Sequence, residues 1–408
     1  MRNIDKFRGC LLGGAAGDAL GYAVEFLDLA SIQRKYGENG ITEFDLSNGE
    51  ALISDDTQMT LFTANGLLLG TTRGMLRGIM GKFPSYIYSC YKDWYLTQTE
   101  EYPLRKSSFH YTWLVNVPKL FFRRAPGCTC LSAIGSGKEG SMDRPLNDSK
   151  GCGGVMRVAP IGLYLPENEH IHTTQEDRDL IGAQTAALTH GHSLGYIPAA
   201  ALVHIVSLAS HNEKLSLLEI IEDMQKTMEK LFGENPYLPE FQAIIDKAVT
   251  LSKQDLQDTL AIREIGEGWV AEETLAIAIY CALKYSHDFD KALIASVNHD
   301  GDSDSTGAVT GNILGAYLGL QGIPKKYIDK LELKDLILEM ADDLFNDCKM
   351  SEFKSYHDEI WMHKYVDAIY QPITNQDTLQ AIVEGKNIAQ NNNIRGSANM
   401  KELIENLE

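Results

Sequence analysis

Two glycine ladders constrain the fold more than any other feature. Gly13, Gly17 and Gly21 recur every four residues in an apolar run over 7–23, and Gly307, Gly311, Gly315 and Gly319 repeat the spacing over 305–320. Residues four apart share one face of an α-helix. Each glycine in a helix interior costs about 1 kcal/mol relative to alanine, so a striped face needs compensation. The usual compensation is close approach of a second backbone. The ladders therefore predict two helices at the centre of a helical bundle.

Elsewhere 3.6-residue apolar periodicity dominates and alternating strand patterns are scarce. Further helices are predicted at 55–69, 82–94, 178–189, 194–211, 214–231, 239–253, 271–285 and 324–347, with Gly- and Pro-rich loops at 123–160 and 263–270. No internal repeat of fixed period is present. The reading is one all-α domain over 1–370, with 211–262 as a peripheral helical insertion, and a polar C-terminal extension over 371–408 that carries an Asn run at 391–393.

The chain has 408 residues with 37 basic and 56 acidic side chains, a net charge of −19. That balance excludes a generic scaffold for nucleic acid or anionic membrane, which needs clustered Lys and Arg. No nucleic-acid or membrane partner is expected, and the oligomeric state is left open. The first 26 residues resemble a signal peptide poorly, because Asp18 interrupts the apolar run, and no stretch reads as a spanning helix. Seven scattered cysteines give no C-x-x-C pair and no disulfide framework, so a reducing cytoplasm is the expected compartment. Cys128 and Cys130 are too close for a zinc knuckle and are assigned to packing or loop roles.

Two acidic clusters carry the chemistry: Ser54-Asp55-Asp56-Thr57 and Asp300-Gly301-Asp302-Ser303-Asp304-Ser305-Thr306. Carboxylates mixed with hydroxyls, without cysteine, are the ligand set of a hard cation such as Mg²⁺, Mn²⁺ or Ca²⁺. Each precedes a predicted helix, so capping is the alternative use of the same residues. Crowded carboxylates repel and raise one another's pKa unless a cation neutralises them. With the glycine-striped helices at the centre, their ends could deliver Glu25, Asp55, Asp56, Asp302 and Asp304 to one cavity.

Lys150-Gly151-Cys152-Gly153-Gly154-Val155-Met156-Arg157 is a glycine-rich turn whose backbone N–H groups could bind a phosphate. It matches neither a P-loop nor a dinucleotide fingerprint. Arg157 is expected either to read phosphate or to brace the acidic clusters. In Thr189-His190-Gly191-His192 a zinc role is disfavoured for want of cysteine partners; His192 is assigned to a helix end, and His170 and His172 to the surface.

Together these segments resemble the ADP-ribosylglycohydrolase family, of the dinitrogenase reductase-activating glycohydrolase type. The matching stretches are RGCLLGGAAGDALGYAVEF, SDDT, RRAPGCTCLSAI, GCGGVMRVAPIGL, THGH, GEGWVAEETLAIAIYCAL and GDSDSTGAVTGNILGAYLG, in family order over about 7–325. The resemblance implies a compact orthogonal all-α bundle with a central binuclear metal cleft. It implies that Ser54, Asp55, Asp56, Asp302, Asp304 and Ser305 hold two Mg²⁺ ions, with Mn²⁺ a possible substitute. Glu25 matches a mobile glutamate beside that site. Gly151, Cys152, Gly153, Gly154 and Met156 would receive the diphosphate and ribose of ADP-ribose, His190 would sit near the terminal ribose, and Trp269 near the adenosine end, where a buried core tryptophan is the competing reading.

The implied reaction is Mg-dependent removal of ADP-ribose from a modified protein or small molecule by cleavage at C1″. Glu25 and Asp56 are the candidates for general acid-base work. By analogy with the arginine-directed members, ADP-ribosyl-arginine on protein is the favoured linkage; serine, O-acetyl-ADP-ribose or nucleic-acid linkages are the alternatives. A non-catalytic ADP-ribose binding protein is a rival from another class, disfavoured because all the carboxylates needed for catalysis are present. A haloacid-dehalogenase-like phosphatase fits Asp302-Ser303-Asp304-Ser305-Thr306 as D-x-D-x-T, but the flanking pattern lacks the buried parallel strand that chemistry requires.

Overall fold

The computed structural model describes residues 2–105, 109–351 and 357–372. All but the first two residues of the 371–408 extension lie outside them. The described residues form sixteen α-helices and no β-strand. In chain order these are α1 (Ile4–Tyr22), α2 (Leu29–Tyr36), α3 (Asp55–Arg77), α4 (Phe83–Thr99), α5 (Cys128–Gly135), α6 (Ala159–Tyr164), α7 (Gln175–Ala187) and α8 (Ser193–His211). They continue as α9 (Leu217–Phe232), α10 (Leu238–Ser252), α11 (Asp258–Ile265), α12 (Ala271–Lys284), α13 (Phe289–Val297), α14 (Ser303–Leu318), α15 (Lys334–Asn346) and α16 (Glu359–Tyr365).

The glycine ladders zip together as an antiparallel pair, α1 against α14. Gly9 faces Gly315, Gly13 faces Gly311, Gly17 faces Gly307, and Gly21 faces Ser303, one helical turn apart each time. A Cβ on Gly13 would lie 2.5 Å from the Gly311 carbonyl oxygen, inside any real contact. The side chain of Asn312 adds an N–H donated to the Cys10 carbonyl (2.9 Å). Gly319, whose carbonyl carbon a Cβ on Gly9 would meet at 2.5 Å, follows the last residue of α14 with φ +78°.

The acidic clusters also cap their helices. Ser54 is the N-cap of α3, with Asp55 and Asp56 in the first turn. Asp302 caps α14 by accepting the Ser305 N–H. Because α1 and α14 run antiparallel, the C-terminal end of α1 and the N-terminal end of α14 meet, and α3 begins beside them.

The predicted helix over 324–347 is broken. Residues 330–332 pair with Ala51 in an extended bridge, Ala51 N–H to Lys330 O (2.8 Å) and Glu332 N–H to Ala51 O (3.0 Å). Leu333 then takes φ +55° before α15 starts. The short helices α2, α5, α6, α11, α13 and α16 carry too few turns for a periodic signal to stand out. Within 211–262, α9 and α10 bury one face each, through Ile220, Met224 and Met228 and through Phe241, Ile245 and Ala248. Contrary to the sequence reading, α8 is long and apolar enough to span a membrane by composition, and 89% of that window is buried inside the protein. His170 is half-buried, its Nε2 3.3 Å from the Cys348 carbonyl oxygen, rather than at the surface.

Candidate active site

The loop after α1, the start of α3, the 151–156 turn and the start of α14 surround one cavity of about 380 Å³. Glu25, Asp55, Asp56, Asp302, Asp304 and Ser305 line it together with Gly151, Cys152, Gly153, Met156, His190 and Trp269. Two expected residues are off its wall. Ser54 is fully buried below it, its Oγ accepting the Asp56 N–H (3.2 Å). Gly154 packs away from it against Ala186 and Gly195, where a side chain would clash with backbone.

A residue the sequence reading passed over organises this floor. Asp18, buried on α1, accepts the backbone N–H of Ser54 (2.9 Å), the backbone N–H of Thr57 (3.0 Å) and the Thr57 hydroxyl (2.5 Å). Its signal was present: a carboxylate inside an apolar, glycine-striped helix must be satisfied or paired. A second clamp is the buried pair of Arg124 and Glu332. Arg124 Nη1 also donates to the Ile53 carbonyl (3.0 Å), and the Arg124 carbonyl accepts the Asp55 N–H (3.3 Å).

The floor is strongly electronegative. Burial, then repulsion from neighbouring carboxylates, pushes Asp56 and Asp304 well above the usual range. Burial does the same to Asp55, against a Gly127 N–H. Glu25 is pushed up to about 9 by burial and by Asp302, Asp55 and Asp18; burial lifts Asp18 to about 6 against its hydrogen bonds. Among the described residues no Lys or Arg forms an ion pair with any of these acids. Asp56 Oδ1 and Glu25 Oε2 are buried without any hydrogen-bond partner.

Orphaned carboxylate oxygens beside hydroxyls are the donor set of a hard divalent cation, so the residues fit the expected metal. They are not gathered into a cage: among the described residues no three His, Cys, Asp or Glu side chains converge on one point. Asp302 is engaged instead, Oδ2 with the Cys152 thiol (2.9 Å) and Oδ1 with the Ser305 N–H (3.2 Å).

His190 is tuned by a relay. Arg157 Nη2 donates to Thr189 Oγ1 (2.7 Å), which lies 2.8 Å from His190 Nδ1. When the Thr189 hydroxyl, which also has the Ala186 carbonyl oxygen at 3.4 Å, gives its proton to Nδ1, Nε2–H is the donor beside Gly151 and Gly153. Burial, then the charge of Arg157, lowers His190 to about 3, so the ring is neutral. Arg157 thus neither reads a phosphate nor braces the acids; it is fully buried, over the Tyr91 ring at 4.5 Å. His192 caps α8, its Nδ1 accepting the Leu194 N–H (3.0 Å), as the sequence suggested.

Trp269 is 40% exposed, not a core tryptophan. Its indole stacks on Phe26, centroids 6.1 Å apart and planes 20° from parallel, and its carbonyl accepts the Cys152 N–H (3.2 Å). All seven cysteines are free; Cys130 is buried against Arg157 and Cys128 is exposed on the cavity wall.

Residues 1–353 match the family model for ADP-ribosylglycohydrolase. Mouse ADP-ribosylhydrolase ARH3 is 26% identical, covering 81% of this chain and 88% of its own. The ADP-ribosyl-[dinitrogen reductase] glycohydrolase of Rhodospirillum rubrum is 26% identical, covering 81% and 91%, and the ADP-ribosylarginine hydrolase Tri1 of Pseudomonas putida 22%, covering 84% and 78%. A solved structure titled ADP-ribosylglycohydrolase-related protein complex shares the fold with a TM-score of 0.52 at 20% identity, covering 84% of this chain and 98% of its own. This chain belongs to the ADP-ribosylglycohydrolase family and is an enzyme that hydrolyses ADP-ribose linkages.

Proposed function

We propose that this enzyme is a divalent-metal-dependent hydrolase that cleaves the C1″ bond between ADP-ribose and an acceptor, with ADP-ribosyl-arginine on protein as the substrate. The observation that carries it is the cavity itself: uncompensated carboxylates with two orphaned oxygens share one wall system with a glycine turn and a neutral His190. An acidic cavity suits a cationic guanidinium as leaving group, and Tri1, which is named for ADP-ribosylarginine, supports that linkage.

Two Mg²⁺ or Mn²⁺ ions held by Ser54, Asp55, Asp56, Asp302, Asp304 and Ser305 would orient the ribose hydroxyls and acidify a water. Ser54 would contribute from beneath, through the turn it caps. Gly153 lets the turn pack closely on Cys130 and His190, since a Cβ there would meet Cys130 Sγ at 2.8 Å and His190 Cε1 at 2.9 Å. His190 Nε2–H donates to a ribose or phosphate oxygen. Trp269 offers the face not covered by Phe26 to the adenosine end. Glu25 and Asp56, each with a free carboxylate oxygen, move the proton between water and leaving group.

The test is a substrate panel with Mg²⁺: ADP-ribosyl-arginine, ADP-ribosyl-serine, O-acetyl-ADP-ribose and ADP-ribosylated nucleic acid. Turnover of the arginine conjugate alone supports the reading, and preferential turnover of another overturns the linkage. Asp55→Ala and Asp304→Ala are each expected to abolish hydrolysis and the thermal stabilisation by Mg²⁺; full activity in either sinks the metal reading.

A further inference from the structure

A second cavity, of about 480 Å³, lies against the first and shares Trp269 as a wall. Its other sides are Leu29 at the start of α2, Thr259, Ile262 and Arg263 of α11, the 266–270 loop, Glu273 of α12, and His299 with Asp300. Three carboxylates, Glu267, Glu273 and Asp300, face one base, Arg263, whose Nη2 is 3.4 Å from Asp300 Oδ2.

A separate observation marks the cavity as a site for a hydrogen-bond donor. His299 is 2% exposed, and its Nε2 lies 3.0 Å from both the Ser296 carbonyl oxygen and Thr306 Oγ1. With Nε2–H donated there, Nδ1 keeps a lone pair, and that atom is buried without a partner. Leu29, Ile262 and Val270 supply apolar wall beside the acids. An acidic rim, an orphaned acceptor and an aliphatic wall together match a cationic side chain on an alkyl stem. They do not match the diphosphate of ADP-ribose, which the same acids repel.

We propose that this cavity takes a Lys or Arg side chain flanking the modified residue of the acceptor polypeptide. The inference rests on the proposed hydrolysis of ADP-ribosyl-protein. Phe26, next to Glu25 in the chain, stacks on the shared Trp269, which sets the cavity beside the group proposed to act on the scissile bond. Residues of an extended peptide step by about 3.3–3.6 Å, which keeps a flanking side chain within reach of a cavity that shares a wall with the first. The enzyme would then read basic sequence around its target.

The test compares free ADP-ribosyl-arginine with two ADP-ribosylated peptides, one carrying Arg and the other Ala beside the modified residue. The Arg-flanked peptide is expected to show a KM about three- to fivefold lower, the size of one partly exposed ion pair. Glu267→Gln and Glu267→Ala should each erase that difference while leaving kcat and the kinetics of free ADP-ribosyl-arginine unchanged. Equal KM for the two peptides in the unmodified enzyme overturns the inference alone. So does an equal rise in KM for free ADP-ribosyl-arginine in the variants, which would give the cavity to ADP-ribose. No turnover of any of the three overturns the proposed function and this inference with it.

Discussion

The carboxylate of Asp18 accepts both the backbone N–H and the hydroxyl of Thr57, at 3.0 and 2.5 Å. A residue near the C-terminal end of the first helix thereby holds the first turn of α3, on which Asp55 and Asp56 stand. Asp18→Asn keeps the shape but turns an amide N–H₂ toward donors. Hydrogen bonds to a charged group contribute about 1.5–3 kcal/mol each, so a loss of about 2–3 kcal/mol in urea unfolding is expected. Mg²⁺ affinity should weaken with it, measured by calorimetry. Unchanged stability and affinity would make Asp18 incidental.

The α1–α14 zipper predicts a sharp contrast between two glycine substitutions. In Gly311→Ala the new Cβ meets backbone, the Gly13 carbonyl and the Gly14 nitrogen (2.9 Å), and neither can swing aside. The helices must part, at a cost of about 3 kcal/mol. In Gly74→Ala the new Cβ meets the flexible end of Met80, at 2.6 Å from its sulfur. There the gain in helix propensity offsets the contact, and stability should stay within about 1 kcal/mol of the parent. Equal melting temperatures for the two variants would contradict the zipper.

The acidic floor makes the metal-free protein sensitive to pH in a defined direction. Asp18, raised to about 6, and Glu25, raised to about 9, bind protons more tightly folded than unfolded, as do Asp55, Asp56 and Asp304. Their contribution to stability is therefore fully present below about pH 4 and is lost as pH rises through the folded values. The melting temperature measured in EDTA should fall between pH 5 and pH 9. Mg²⁺ should raise it more at pH 8 than at pH 5, because it must displace protons at the lower pH. A Mg²⁺ shift independent of pH would show that these carboxylates are not the ligands.

The relay from Arg157 through Thr189 to His190 separates the hydroxyl from the methyl group of Thr189. Thr189→Val removes the proton given to Nδ1, so His190 loses its fixed tautomer and KM should rise about tenfold, the cost of one buried hydrogen bond at about 1.4 kcal/mol. Thr189→Ser restores the hydroxyl and should restore KM. Nitrogen-15 shifts of the imidazole give an independent readout: one Nε2–H tautomer in the parent and the serine variant, a mixture in the valine variant. Identical spectra in all three would discard the relay.

Much of the site was legible because its residues do two local jobs at once. Asp55, Asp56, Asp302 and Asp304 sit where helices α3 and α14 begin, so capping chemistry marked their positions before any tertiary contact was known. Their shared cavity was inferred from the glycine ladders, whose spacing has no local purpose. Asp18 was missed because its donors, Ser54 and Thr57, lie 36 and 39 residues away. The role of Arg157 was misjudged for the same reason: its partner Thr189 is 32 residues on, and a charge in sequence does not reveal which side of a wall it occupies. The helix expected over 324–347 failed because a bridge to Ala51 outweighed local propensity.

The sequence by itself determined the all-α class, the two striped helices and the acidic caps at their ends, since periodicity, glycine spacing and capping are properties of neighbouring residues. Only the tertiary structure decided that α1 and α14 zip to each other, that Asp18 holds the SDDT turn in place, and that Trp269 divides two cavities. Those are choices of partner across hundreds of residues, fixed by which backbones can approach and which buried polar groups can be satisfied together.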